Sequence, residues 1–120
     1  MSQILKKFFK GFVYAGRGIV SGFLERNMKF HGVAAFLVVM AGFYFNLSLG
    51  EWVIVLMLIA MVWSAELFNT SIEELANVVK KENKLGYEVT TRVRNVAAGA
   101  VLVMAMVAAI IGLMIFVPKI

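Results

Sequence analysis

The sequence predicts an all-α integral membrane protein: three transmembrane helices preceded by an N-terminal amphipathic surface helix. Three observations carry this. Of the 120 residues, 62% are apolar and only 16% charged, whereas soluble domains of this size run near 45–50% apolar and about 25% charged. Long uncharged runs recur, residues 30–50 among them, and each matches the ~20 residues that a hydrocarbon core of about 30 Å requires. Finally, the 12 Lys and Arg residues cluster beside those runs, as expected for attraction to anionic headgroups.

Residues 4–23 form the surface helix. Leu5, Phe8, Phe12, Ala15, Ile19 and Phe23 fall on one face, with Lys6, Lys10, Arg17 and Ser21 on the other. A helix with one apolar and one basic face lies in the membrane interface. The three spans follow as 30–50, 51–79 and 93–117, within a single membrane domain of residues 1–120. The segment 46–50 turns the first span into the second, and 80–87 is the polar loop before the third. Ala97, Ala98, Gly99, Ala100 and Ala105 give the third span the small residues of close helix contacts.

Charge sets the orientation. Lys6, Lys7, Lys10, Arg17, Arg26 and Lys29 precede the first span, and Lys80, Lys81, Lys84, Arg92 and Arg94 sit between the second and third. The 46–50 turn has no Lys or Arg, and Lys119 alone follows the third span. The positive-inside rule makes the N-terminus cytoplasmic and the C-terminus external in a multi-pass membrane protein. The first residues are basic and amphipathic, without the apolar core or small-residue cleavage site of a signal peptide. The net charge of +5 does not point to nucleic acid, because no basic patch is interleaved with aromatics.

The chain has no cysteine, which excludes disulfides and thiolate metal sites. Any metal chemistry rests on carboxylates, with the single His31 as a further candidate ligand, a set that favours hard cations such as Mg²⁺ over zinc. The carboxylates fall in a pattern. At 100° per residue, Glu66, Asn69, Glu73 and Asn77 share a narrow face at the end of the second span. Glu66 lies about 21 Å along the helix from Trp52, at the cytoplasmic edge of the hydrocarbon. Ionisable residues there are costly and mark function.

A partly buried Glu66 suits a base that accepts the proton of a lipid hydroxyl. Glu73, two turns closer to water, could hold Mg²⁺ and nucleotide phosphates together with Glu25, which precedes the first span. Asn69 can orient either partner without adding charge. Arg92, Arg94, Lys80 and Lys81 are available to neutralise phosphates. These parts fit phosphoryl transfer to a membrane alcohol. Against them stand plainer assignments: Glu73 and Glu74 as solvated residues of a helix leaving the membrane, His31 as a polar anchor at the boundary, and Met57, Met61, Met104 and Met106 as packing residues. The spacing also permits a small proton-coupled transporter built on Glu66.

The stretch 66–73, Glu-Leu-Phe-Asn-Thr-Ser-Ile-Glu, resembles the E-x-x-N-[ST]-A-I-E motif of the small bacterial membrane diacylglycerol kinase family. Phe8-Phe9-Lys10, Ala15-Gly16-Arg17-Gly18-Ile19, Glu25-Arg26-Asn27 and the Ala97–Val101 run resemble other segments of that family, closest to its Gram-positive undecaprenol kinase branch. The resemblance implies a homotrimeric bundle with active sites shared between subunits. MgATP is its implied donor, and undecaprenol or diacylglycerol its lipid acceptor. It makes Glu66 the base supported by Asn69, gives Glu25 and Glu73 the metal and ATP, and sets Arg94, and Arg17, near the phosphates. Asn77 and Asn95 stand where the family usually has aspartate. An amide cannot replace an anion but still accepts a hydrogen bond, so the departure bears on ATP binding and leaves a catalytically weakened member as an alternative.

Overall fold

The computed structural model describes residues 2–120, and among these only helices and turns occur. Four α-helices account for most of the chain: α1 Gln3–Phe23, α2 Arg26–Tyr44, α3 Leu49–Glu82 and α4 Thr91–Phe116. Short 3₁₀ turns at Tyr87–Thr90 and Val117–Lys119 flank α4. The boundaries differ from the spans expected from charge alone. α2 begins four residues before residue 30 and stops six before residue 50, because a helix is defined by backbone hydrogen bonds while the expected span was defined by uncharged residues. Asn46, at φ 53°, ends α2 in the left-handed region that Asn tolerates.

α3 begins with a capping box. The Ser48 hydroxyl accepts from the Glu51 N–H at 3.2 Å, and the Ser48 N–H donates to Glu51 Oε1 at 2.9 Å. This reciprocal pair satisfies two backbone groups that a helix start would otherwise leave open. Glu51 also meets Lys119 Nζ at 3.1 Å, which ties the start of α3 to the end of α4 and makes the two helices antiparallel. α3 then runs for 34 residues, about 51 Å at the helical rise. It therefore outruns a ~30 Å hydrocarbon core by several turns.

α3 and α4 are each long and apolar enough to cross a membrane. α2 has 19 residues and carries Arg26, Lys29 and His31 in its first two turns. The molecule is a slab of 54 × 48 × 19 Å exposing 9000 Å², against about 6,400 Å² for a compact soluble protein of this mass. The few buried apolar side chains, Met28, Val55, Val62, Ala97 and Val101 among them, lie on α2, α3 and α4, with α3 packed against both of the others. Most large apolar residues face outward, a surface that only lipid or further protein can cover.

Two close approaches pin the other helices to α3. Gly22, the one buried residue of α1, lies against Leu67, and the adjoining Phe23 ring meets Trp63 edge-on at 5.0 Å. The Trp63 indole N–H donates to the His31 carbonyl at 3.2 Å, so one tryptophan connects α1, α2 and α3. Near the opposite end, a Cβ on Gly42 would fall 2.6 Å from the Trp52 ring. A rigid ring cannot yield as a flexible side chain does. Gly42→Val should therefore lower stability by about 1–3 kcal/mol through overpacking, seen as a depressed thermal unfolding midpoint in detergent.

Candidate active site

Glu66 and Asn69 are each 3% exposed, an unusual burial for polar side chains. Their burial follows from spacing. Val55, Val62, Glu66, Asn69 and Ala76 are the buried residues of α3 and recur at helical intervals, so the polar pair continues the stripe that packs on α2 and α4. From Leu49 to Glu66 the helix rises ~26 Å, close to the full depth of a hydrocarbon core. Glu73 lies about 10 Å further along and Asn77 about 16 Å, giving a ladder of polar groups that leaves the apolar region.

The hydrogen bonds along this ladder are specific. Asn69 Nδ2 donates to Glu73 Oε1 at 3.2 Å, joining a buried rung to a half-buried one. Asn69 Oδ1 is buried and has no hydrogen-bond partner. Buried acceptors without partners are rare and mark places where a ligand or ion supplies the missing donor. His31 Nε2 stands 3.8 Å from Glu66 Oε2, beyond hydrogen-bond length. The Glu66 carboxylate thus faces one ionisable neighbour on α2.

Four turns of the α3–α4 hairpin build a second group. Arg94 is 8% exposed. Its Nη2 donates to Asn77 Oδ1 at 2.7 Å and its Nε to Thr90 Oγ1 at 2.9 Å. The guanidinium lies 4.7 Å from the centre of the Tyr87 ring, with Lys80 Nζ 5.5 Å from the same ring. The Thr90 hydroxyl itself donates to the Tyr87 carbonyl at 3.0 Å, which orients its lone pairs toward Arg94. All of these partners are neutral, so the guanidinium is held in place with its charge uncompensated. Planar cations fixed in this way are suited to phosphate oxygens.

The expected site residues therefore fall into three sets. Glu66, Asn69 and Glu73 are brought together on α3, and Asn77 is joined to Arg94. Glu25 is exposed at the N-cap of α2, where its side chain makes no capping bond. Arg17 is exposed on α1, its guanidinium 6.0 Å from the Tyr14 ring. Asn95 is exposed on α4, and its side chain makes no hydrogen bond among the described residues. Within one chain, the described residues contain no group of three or more His, Asp or Glu placed to hold a metal ion. His31, Tyr87 and Thr90 were not among the expected site residues. Tyr87 and Thr90 precede Arg94 by seven and four residues, the spacing of one helix face. That interval was a usable signal; His31 stood out in the sequence as the lone histidine, read there as a polar anchor.

A buried carboxylate and amide on α3, with a fixed guanidinium further along the α3–α4 hairpin, are the polar features of an otherwise apolar molecule. The family model for prokaryotic diacylglycerol kinase matches residues 13–116. Undecaprenol kinase of Bacillus subtilis (strain 168) is 43% identical over 116 residues, covering 96% of this chain and 92% of that protein. No solved structure matches. The chain belongs to the prokaryotic diacylglycerol kinase family and is a lipid kinase of the membrane. Family membership decides for phosphoryl transfer over proton-coupled transport.

Loss of the Asn77 acceptor should expose the cost of the buried guanidinium. Asn77→Leu is expected to destabilise by about 1.5–3 kcal/mol, the range for hydrogen bonds to charged groups. Asn95→Ala, at an exposed position, should stay within about 0.5 kcal/mol. Thermal or denaturant unfolding of both variants in the same detergent checks the contrast.

Proposed function

We propose that this protein is an undecaprenol kinase that transfers the γ-phosphoryl group of ATP to the terminal hydroxyl of undecaprenol. Its similarity to the Bacillus subtilis undecaprenol kinase supports this acceptor over diacylglycerol. The observation that supports the mechanism is the burial of Glu66 beside Asn69, at the end of the apolar run of α3. Glu66 takes the hydroxyl proton as the alcohol oxygen bonds to the γ-phosphorus and the bond to ADP breaks. The products are undecaprenyl phosphate and ADP. Asn69 Oδ1, free of any internal partner, accepts a hydrogen bond from a water beside the hydroxyl, whose own single proton is directed at Glu66.

Glu73 and Glu25 are the carboxylates available for Mg²⁺. This ion is held in phosphotransferases by one or two carboxylates together with phosphate oxygens and water, so a complete protein cage is not required. When bound it neutralises charge on the transferring group. The unpaired Asn69 acceptor next to Glu73 is consistent with a further polar ligand at this point. Arg94, held by Asn77, Thr90 and Tyr87, meets the outer phosphates. Asn77 and Asn95 in place of aspartate leave more positive charge for the nucleotide, which makes the departure compatible with ATP binding.

The active form is a homotrimer whose subunits each cross the membrane three times, with α2 as the first span and α1 on the cytoplasmic surface. The N-terminus is cytoplasmic and the C-terminus external. The thin slab and its large apolar surface support assembly, and a neighbouring subunit would bring Glu25 and Arg17 to a shared site.

Transfer of label from [γ-³²P]ATP to undecaprenol, diacylglycerol and ceramide, each with varied Mg²⁺, tests the assignment. Undecaprenol should be the preferred acceptor, and chelation should abolish labelling. Glu66→Gln should lower kcat by about 10²–10⁴, the range for loss of a general base, with the trimer intact by size-exclusion chromatography. Unchanged turnover in that variant would refute the base assignment.

A further inference from the structure

Glu66 must lose the proton it gains before the next turnover, and the mechanism above gives that proton no exit. Three observations bear on where it goes. Glu66 has a single ionisable neighbour across the helix interface, His31, with Nε2 3.8 Å from Oε2. The two differ in exposure: the histidine side chain is 15% exposed and the glutamate side chain 4%. An apolar groove of about 550 Å³ between α2, α3 and α4 also runs up to His31, which is the only titratable side chain on its walls. The imidazole thus lies between a buried carboxylate, an apolar channel and the boundary.

His31 is also held in place. The Trp63 indole bonds its carbonyl at 3.2 Å, fixing this turn of α2 against α3. The Phe30 and His31 rings meet edge-on at 5.5 Å. The groups facing the imidazole are few. α3 contributes Glu66, α4 contributes Ala105, Ala108 and Ala109 along the groove, and α1 reaches the region through Phe23 on Trp63. On α2 itself the nearest cation, Lys29, is exposed.

We propose that His31 is the proton relay of the reaction, taking from Glu66 the proton that the carboxylate has removed from the acceptor alcohol. This rests on the lipid kinase mechanism above and assigns a role to a residue outside it. At 3.8 Å the carboxylate is not tied up by the imidazole and remains open to the alcohol. After transfer, a movement of about 1 Å brings Oε2 and Nε2 to hydrogen-bond distance. The Glu66 O–H bond breaks as the Nε2–H bond forms, leaving carboxylate and imidazolium. The imidazolium then releases its proton to water on the more exposed side. No oxidant or additional reactant is needed. Neutral imidazole, with a free lone pair on Nε2, is the form that accepts.

The test compares wild type, His31→Gln and His31→Ala with MgATP and undecaprenol in one detergent, with trimer content measured for each. Gln keeps a donor for Glu66 and can position it, but it cannot carry a proton. The relay predicts that His31→Gln lowers kcat about tenfold or more, with both KM values within about twofold, and that it flattens the acid limb of the kcat–pH profile. Added imidazole should restore part of the rate in His31→Ala, increasingly at higher pH where more of it is the free base. A His31→Gln enzyme with wild-type kcat across the pH range, or an alanine variant that imidazole does not rescue, overturns the relay. A wild-type enzyme that phosphorylates no lipid would instead overturn the function on which it rests.

Discussion

A lipid kinase must keep a carboxylate within reach of an alcohol that cannot leave the bilayer. Burial of Glu66 at 3% exposure is the constraint on which the remaining arrangement depends. An ionised group in this setting is costly unless neighbours compensate it. Asn69 and His31 flank it without claiming it: the amide bonds Glu73 and the imidazole stands off by 3.8 Å. Trp63, by bonding the His31 carbonyl and packing on Phe23, brings three helices to the same level as the carboxylate. The long α3 then carries the polar ladder from apolar surroundings to water in one rigid element.

The outer end of the ladder follows the opposite electrostatic logic. Arg94 is fixed by an amide, a hydroxyl and an aromatic face, none of which cancels its charge. Neutral partners orient a cation while leaving its attraction for phosphate intact. This gives a physical reading of Asn77. Its amide oxygen meets the geometric need for an acceptor, and, being neutral, leaves the charge of Arg94 available to the nucleotide of the proposed reaction. A buried cation without a carboxylate is unfavourable in isolation, and an anionic ligand relieves it.

Much of this was legible in the chain itself. Glu66, Asn69 and Glu73 at intervals of three and four residues, at the end of an apolar run, announced a polar face at a membrane boundary, and the structure joins Asn69 to Glu73 on that face. Helix ends were less legible. α2 includes Arg26, Lys29 and His31 and ends at Tyr44, because hydrogen-bonded turns, not the uncharged run that hydropathy detects, set its limits. Contacts between elements were hidden for another reason. His31 and Glu66 are 35 positions apart, and their approach depends on how α2 packs against α3. Arg94 was recognisable as a cation near phosphates, but its bond to Asn77 depends on the register of the α3–α4 hairpin.

The central claim is positional: the ladder on α3 passes from lipid to cytosol between Glu66 and Asn77. A chain without cysteine allows this to be measured with single nitroxide labels at the exposed positions Phe68, Leu75 and Val79. In lipid nanodiscs, power-saturation electron paramagnetic resonance compares collision with oxygen, which concentrates in lipid, and with a water-soluble nickel chelate. The account predicts that oxygen dominates at Phe68 and the nickel chelate at Val79, with Leu75 between them. Equal nickel accessibility at Phe68 and Val79 would place Glu66 in water and contradict the account.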